Sequence, residues 1–304
     1  MLAKINSNIN FMEYILLFKI TSFVGLKKKN NINDVKLLQA LLNVYSRRNN
    51  SKSLTITGKC DSELIDKLVE YQNKHLKISK PKEYAEPNGK IVKSLNELVR
   101  SVFKPMSNIP PKIGLLTWNA EGNEGGVYHS RKLHVPSESS GVTVGRGYDL
   151  RRKKSALIRK DLAAAGLKPE VISKLASAVG LKGKQAKQFI IDSDLVDYQV
   201  TVDAQRKLFK ISYDFEASEV KRICTKSDVV KKYGNTDWGK LDFIIKEITI
   251  DLKFRGDYTP AAREYLQETI ANNDLESFKR VITNRSLWAN VPGDRFNKRV
   301  KYVQ

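Results

Sequence analysis

Five residues between positions 121 and 149 have the types and spacing for acid–base chemistry on a sugar polymer. Glu121 stands before Gly122 and Glu124 before a glycine pair. Glu138 lies in a serine-rich stretch, and the run Ser-Gly-Val-Thr-Val-Gly-Arg-Gly-Tyr-Asp-Leu over residues 140–150 carries Thr143 and Asp149. Breaking a glycosidic bond takes two carboxyl groups in one cleft, one to protonate the leaving oxygen and one to handle water or the sugar cation. The donor must hold its proton near neutral pH, which burial against apolar groups achieves by raising its pKa. Glu121 follows Leu-Leu-Thr-Trp-Asn-Ala over residues 115–120, a predicted helix that would set the acid on a cleft floor beside Trp118. Asp149 ends residues 142–148, where alternation and two glycines predict a strand. On such a strand Thr143, Gly145, Gly147 and Asp149 share one face, and the glycines leave room for a sugar. The Thr143 hydroxyl is then placed to hold the attacking water. Glu124 is the alternative acid if the helix ends differently, and Glu138 is the alternative second carboxylate. Direct attack by water requires the carboxyls to stand about 6.5–9.5 Å apart and inverts the anomeric centre, an outcome that a water-holding threonine favours. Around these, Tyr128, Arg146, Tyr148, Arg255 and Tyr258 are the candidate substrate contacts. Arg146 either pairs with a catalytic carboxylate or faces solvent. Arg255 and Tyr258 either line the cleft or simply end a helix at Gly256.

The elements that must position these groups can be read from periodicity. Residues 113–304 begin with the short helix and strand pair just described and then turn strongly helical. Helices are predicted over residues 153–165, 169–179 and 183–191, from Thr201 onward, over 238–254, from Thr259-Pro260 to 271, and over 277–282. Residues 288–299 read as the chain end packing onto this lobe. Before them, Asn33-Asp34 can cap a helix with Val35, Leu38, Leu41, Leu42 and Tyr45 at helical spacing. Asp61-Ser-Glu63 opens a second helix, and Ile91, Leu95 and Leu98 suggest a third. Residues 105–111 hold three prolines and suit a linker. The order predicts an α+β chain, mostly α. Its parts are a lead segment (1–19), a small helical domain (20–104), a linker (105–112) and the larger lobe (113–304).

Composition sets the outer limits. The chain has 304 residues, 41% of them hydrophobic, enough for two real cores. Its formal net charge of +21 is shared almost equally between residues 1–110 and the rest, so it belongs to the whole molecule rather than to a basic tail. Such a field draws a protein toward polyanions, whether nucleic acid, anionic membrane or an acidic envelope. The lysine clusters lack interleaved aromatics, which argues against nucleic acid. Two distant cysteines (Cys60 and Cys224) and three scattered histidines supply neither a disulfide framework nor a metal spacing. No cofactor is expected. Residues 11–20 are apolar but carry Glu13 and Lys19 and are too short to span a bilayer. No small-residue cleavage site follows them, so neither stable membrane insertion nor a signal peptide is expected.

Two resemblances sharpen this reading. Val24-Gly25, Asp34-Val35, the Leu38-Gln39 run to Asn43, Ile56-Thr-Gly58, Tyr71-Gln72 and Pro87-Asn-Gly89 resemble, in order, the three-helix peptidoglycan-binding domain. Asn88 stands where that family usually has Asp. Glu121-Gly122 with the 140–150 run resembles the catalytic segment of pesticin-type muramidases, relatives of the phage-type lysozymes. That second resemblance implies a lysozyme-like lobe with a small β-hairpin, with Glu121 as general acid, Thr143 as the water-positioning residue and Asp149 as second carboxylate. Arg151-Arg152 departs from the family, where Gly and a polar residue often follow. Together the resemblances imply a monomeric peptidoglycan hydrolase cleaving between N-acetylmuramic acid and N-acetylglucosamine. It would act in the periplasm or cell wall of a target bacterium, as a phage endolysin delivered by a holin or as an antibacterial toxin injected by a secretion system. The rival readings are a lytic transglycosylase, for which one glutamate suffices, and a non-catalytic wall-binding protein.

Overall fold

The computed structural model describes residues 18–107, 109–125 and 129–304; most of the apolar stretch at 11–20, and Tyr128, lie outside them. The described residues are mostly helical with two small antiparallel strand pairs, an α+β chain, and they fold as two units.

The first unit comprises β1 (Val24–Gly25), α1 (Ile32–Arg48), α2 (Ser62–Lys74), β2 (Tyr84–Ala85) and α3 (Lys90–Val102). Val35, Leu38, Leu41, Leu42 and Tyr45 of α1 are buried with Leu64 and Leu68 of α2 and Leu95 of α3. The α1 cap is Asn31, whose side chain accepts the Asn33 N–H, two positions before the expected one. Asp34 is spent on other work: its buried carboxylate accepts the backbone N–H of Thr21 and Ser22 and both hydroxyls, fixing the chain that enters β1. β1 pairs with β2 so closely that a Cβ on Gly25 (φ +147°) would stand 2.2 Å from the Glu83 carbonyl oxygen.

The second unit begins with α4 (Leu115–Ala120), β3 (Thr143–Val144), β4 (Tyr148–Asp149), α5 (Ser155–Ala164) and α6 (Pro169–Leu175). After α7 (Gly183–Asp192) it continues through α8 (Val202–Cys224), α9 (Ser227–Tyr233), α10 (Phe243–Arg255), α11 (Pro260–Ala271), α12 (Leu275–Thr283), a 3₁₀ turn (Arg285–Trp288) and α13 (Gly293–Val303). Thr201, Asp242, Thr259 and Asp274 cap α8, α10, α11 and α12 with side-chain oxygens. Because Asp242 is a cap, α10 starts five residues after Trp238, later than its apolar pattern predicts. Helix α10 is the axis of the unit, with α4, α8, α12 and α13 packed around it. Ile245, Ile248 and Leu252 are fully buried there, each contributing about 1.5–3 kcal/mol, which offsets the cost of burying Glu247 and Asp251 on the same helix.

One part of the expected domain division differs. Residues 184–198 belong with the first unit, not with the lobe that surrounds them in sequence. Asp192 pairs with Lys36 at 3.1 Å, and Arg47 reaches Asp194 at 2.7 Å and Asp197 at 2.6 Å. Asn43, buried in α1, adds a 3.1 Å bond to Asp194. The acids around the end of α7 thus find their counter-charges on α1.

Candidate active site

Gly114, in the left-handed region (φ +79°), starts α4, and its N–H donates to Glu247 at 2.8 Å. A side chain there would collide with the Tyr213 ring. From this anchor the helix runs six residues, burying Trp118 edge-on against Phe209 at 5.1 Å, and stops at Glu121, whose N–H closes the last turn on the Thr117 carbonyl. Glu121 keeps 21% of its side chain exposed. Its Oε1 accepts 2.8 Å from Arg295 Nη1 on α13. Arg295 is itself tied by two bonds to Asp251, which is fully buried on α10 and is also bonded to Arg299. Burial raises the Glu121 carboxyl above the ordinary carboxylate range, and the attraction of Arg295 opposes that shift without cancelling it.

Thr143 and Asp149 do not lie along one strand. They face each other across the β3–β4 pair, with Val144 opposite Tyr148. The reason is Gly145 and Gly147, both in the left-handed region (φ +61° and +84°), which turn the chain between them. Directly paired residues share a face of a hairpin, so the two polar side chains are still brought together. Thr143 is buried, and its strand is held by two backbone bonds to His134. Asp149 accepts the N–H of Gly141 at 3.1 Å on one oxygen and of Arg151 at 2.7 Å on the other.

Glu121, Thr143 and Asp149 all line one groove of about 1490 Å³ within the second unit. Gly147, in the turn of the hairpin, lies beside the acid: a Cβ on it would stand 2.6 Å from the Phe254 ring and 3.4 Å from Glu121 Oε2. The glycine therefore keeps that oxygen open to the groove.

The alternative acids are placed otherwise. Glu124 bonds Arg131 and Gln205, each at 2.9 Å, and does not line the groove; it fastens the loop. Glu138 is exposed and does not line it either. Arg146 is neither substrate-facing nor in solvent. It is buried over the Trp118 ring at 4.2 Å and donates to the carbonyls of Trp118 and Gly122, clamping the segment that carries Glu121. Burial pulls its pKa down to about 10, so it stays charged at neutral pH. The Tyr148 hydroxyl donates to Asp161 at 2.7 Å, and Tyr258 is buried with its hydroxyl on Gln267, so both tyrosines are framework. Arg255 does line the groove, paired with Asp257.

Sequence reasoning missed Arg295 and Asp251. The available signal was an aspartate inside the apolar run Ile-Thr-Ile-Asp-Leu of α10, which needs buried cations. It also set aside the histidines, yet His129 and His134 line the groove, and burial lowers the pKa of both imidazoles.

Comparison with known families gives one match, over residues 114–300, to the domain of unknown function DUF8812. No curated protein matches the chain at a significant level. The matched span runs from α4 to α13, covers more than half of the chain and includes every described residue that lines the groove. This chain is therefore a member of the DUF8812 family.

Proposed function

We propose that the second unit is a muramidase, a lysozyme-like lobe that hydrolyses the glycan of peptidoglycan, and that the first unit is a wall-binding module. The observation that carries this reading is that Glu121, Thr143 and Asp149 line one groove while burial keeps the Glu121 proton bound above the usual carboxylate range. In this mechanism Oε1 stays on Arg295, and Oε2, facing the groove past Gly147, donates its proton to the glycosidic oxygen. Asp149 meets the charge developing on the sugar and takes a proton from the water that Thr143 holds, whose oxygen bonds to the anomeric carbon as the glycosidic bond breaks, with inversion. The first unit raises the local concentration of substrate by tethering, and the +21 charge adds attraction to an anionic envelope. Delivery to the wall as a phage endolysin or as an injected toxin fits the reading equally; no described helix is long and apolar enough to cross a membrane. The test is digestion of purified sacculi followed by mass analysis of the products. New reducing ends on N-acetylmuramic acid support the proposal, anhydro ends reassign the protein as a lytic transglycosylase, and no release by folded protein overturns both.

A further inference from the structure

Past the two carboxylates the groove is lined by four consecutive cations, Arg151, Arg152, Lys153 and Lys154. Their position is fixed to the site, since the Arg151 N–H holds Asp149 Oδ1 and Leu150 is fully buried just before it. Other cations at or beside the groove are engaged: Arg255 pairs with Asp257, Arg295 with Glu121 and Asp251, and Lys298 donates to the Asn119 carbonyl. Among the described residues, Arg152, Lys153 and Lys154 have no carboxylate partner. Lys153 is held over the Tyr148 ring at 4.6 Å and lies 5.9 Å from the Phe215 ring. Phe215 and Leu157 line the same part of the groove and are 58% and 44% exposed. Unneutralised cations beside exposed apolar side chains complement a ligand with free carboxylates on a short, partly apolar chain. A neutral glycan offers them nothing.

We propose that this basic arm recognises the carboxylates of a peptide attached to the glycan strand, so that the groove selects peptide-bearing glycan over the bare polymer. The inference rests on the glycan-cleaving reading of the groove and adds the substrate class to it. A carboxylate seated between two exposed cations gains enough for about a tenfold preference at low salt.

The test uses full-length protein carrying Glu121→Gln, so that ligand is not consumed. Its affinity is measured for soluble disaccharide-peptide oligomers and for the same oligomers stripped of peptide. The expected ratio is about ten at about 50 mM salt and shrinks toward one at about 500 mM, where screening acts within a few ångströms. Adding Arg152→Gln and Lys154→Gln brings the ratio to within about twofold of one, whereas the charge-conserving pair Arg152→Lys and Lys154→Arg retains it. The first unit is present in every protein compared, so any preference of its own is common to all of them, and the change in the ratio on adding the glutamine pair reports the arm. A ratio near one in the Glu121→Gln protein, or one unmoved by the glutamine pair, overturns the inference. Cleavage is read separately as reducing ends released from peptide-bearing glycan by the wild-type chain. If none appear while the affinity ratio behaves as stated, the hydrolase reading fails and the arm stands as the carboxylate site of a binding groove.

Discussion

Glu121→Gln separates catalysis from folding, with a sign that the structure dictates for each. Glutamine has the shape of glutamate and its amide oxygen still accepts from Arg295, but it has no carboxylic proton to give. Loss of a general acid lowers turnover by about 10²–10⁴-fold. Stability moves the other way. Folding raises the Glu121 pKa, so the protonated side chain is favoured in the folded state and ionising it costs free energy. That cost is absent below the unfolded value of about 4.3, grows as pH rises, and is complete above the raised folded value. Arg295 is not stranded by the substitution, because Asp251 still takes two of its bonds. At neutral pH the variant is therefore expected to be more stable by on the order of 1 kcal/mol, a rise of about 2–4 °C in Tm for a unit of this size. The gain should vanish near pH 4. Paired measurements of reducing-end release and thermal unfolding at pH 4 and 7 check both limbs. A folded variant with undiminished turnover would refute the acid assignment, and a marked loss of stability at pH 7 would refute the claim that burial outweighs Arg295.

Three further substitutions probe the surrounding groups. Arg295→Gln removes the attraction that opposes burial, so the alkaline limb of the pH–rate profile should move to higher pH; with Asp251 left to Arg299 alone, stability should fall by about 3 kcal/mol in denaturant unfolding. Asp149→Asn should lower kcat by about 10²-fold or more with little change in affinity for soluble glycan. It also places an amide against the N–H of Gly141 or Arg151, at a cost of about 1–2 kcal/mol by thermal unfolding. Glu124→Gln removes the carboxylate 2.9 Å from buried Arg131 and should destabilise by about 3 kcal/mol, while turnover per folded molecule, read by active-site titration, persists.

The parts of this fold that were legible in the sequence are those decided within a few residues. Asp61, Thr201 and Thr259 announce their helices because a cap acts on N–H groups two or three positions on. The grouping of Glu121, Thr143 and Asp149 was legible too, although the route was not: alternation over residues 142–148 reads as one strand, and only the left-handed backbone at Gly145 and Gly147 makes it a hairpin. Arg146 illustrates the opposite limit. Its letter is equally good for solvent, substrate or an ion pair, and only the tertiary position of Trp118 makes it a clamp. Arg295 lies 174 positions from Glu121 and 44 from Asp251, so no local pattern ties the three together. The acids at 192, 194 and 197 likewise gain meaning only when Lys36 and Arg47 are brought to them.

That last arrangement reaches back to synthesis. A ribosome making this chain releases α1 early, but Asp194 and Asp197 emerge only after the whole of residues 105–183. The N-terminal body therefore cannot be finished as an independent product while the rest is still being translated. It waits, with Arg47 unmatched, for a strut supplied from inside its neighbour's sequence. A single crossover at residue 104 would likewise separate α1 from residues 184–198, which supply its counter-charges.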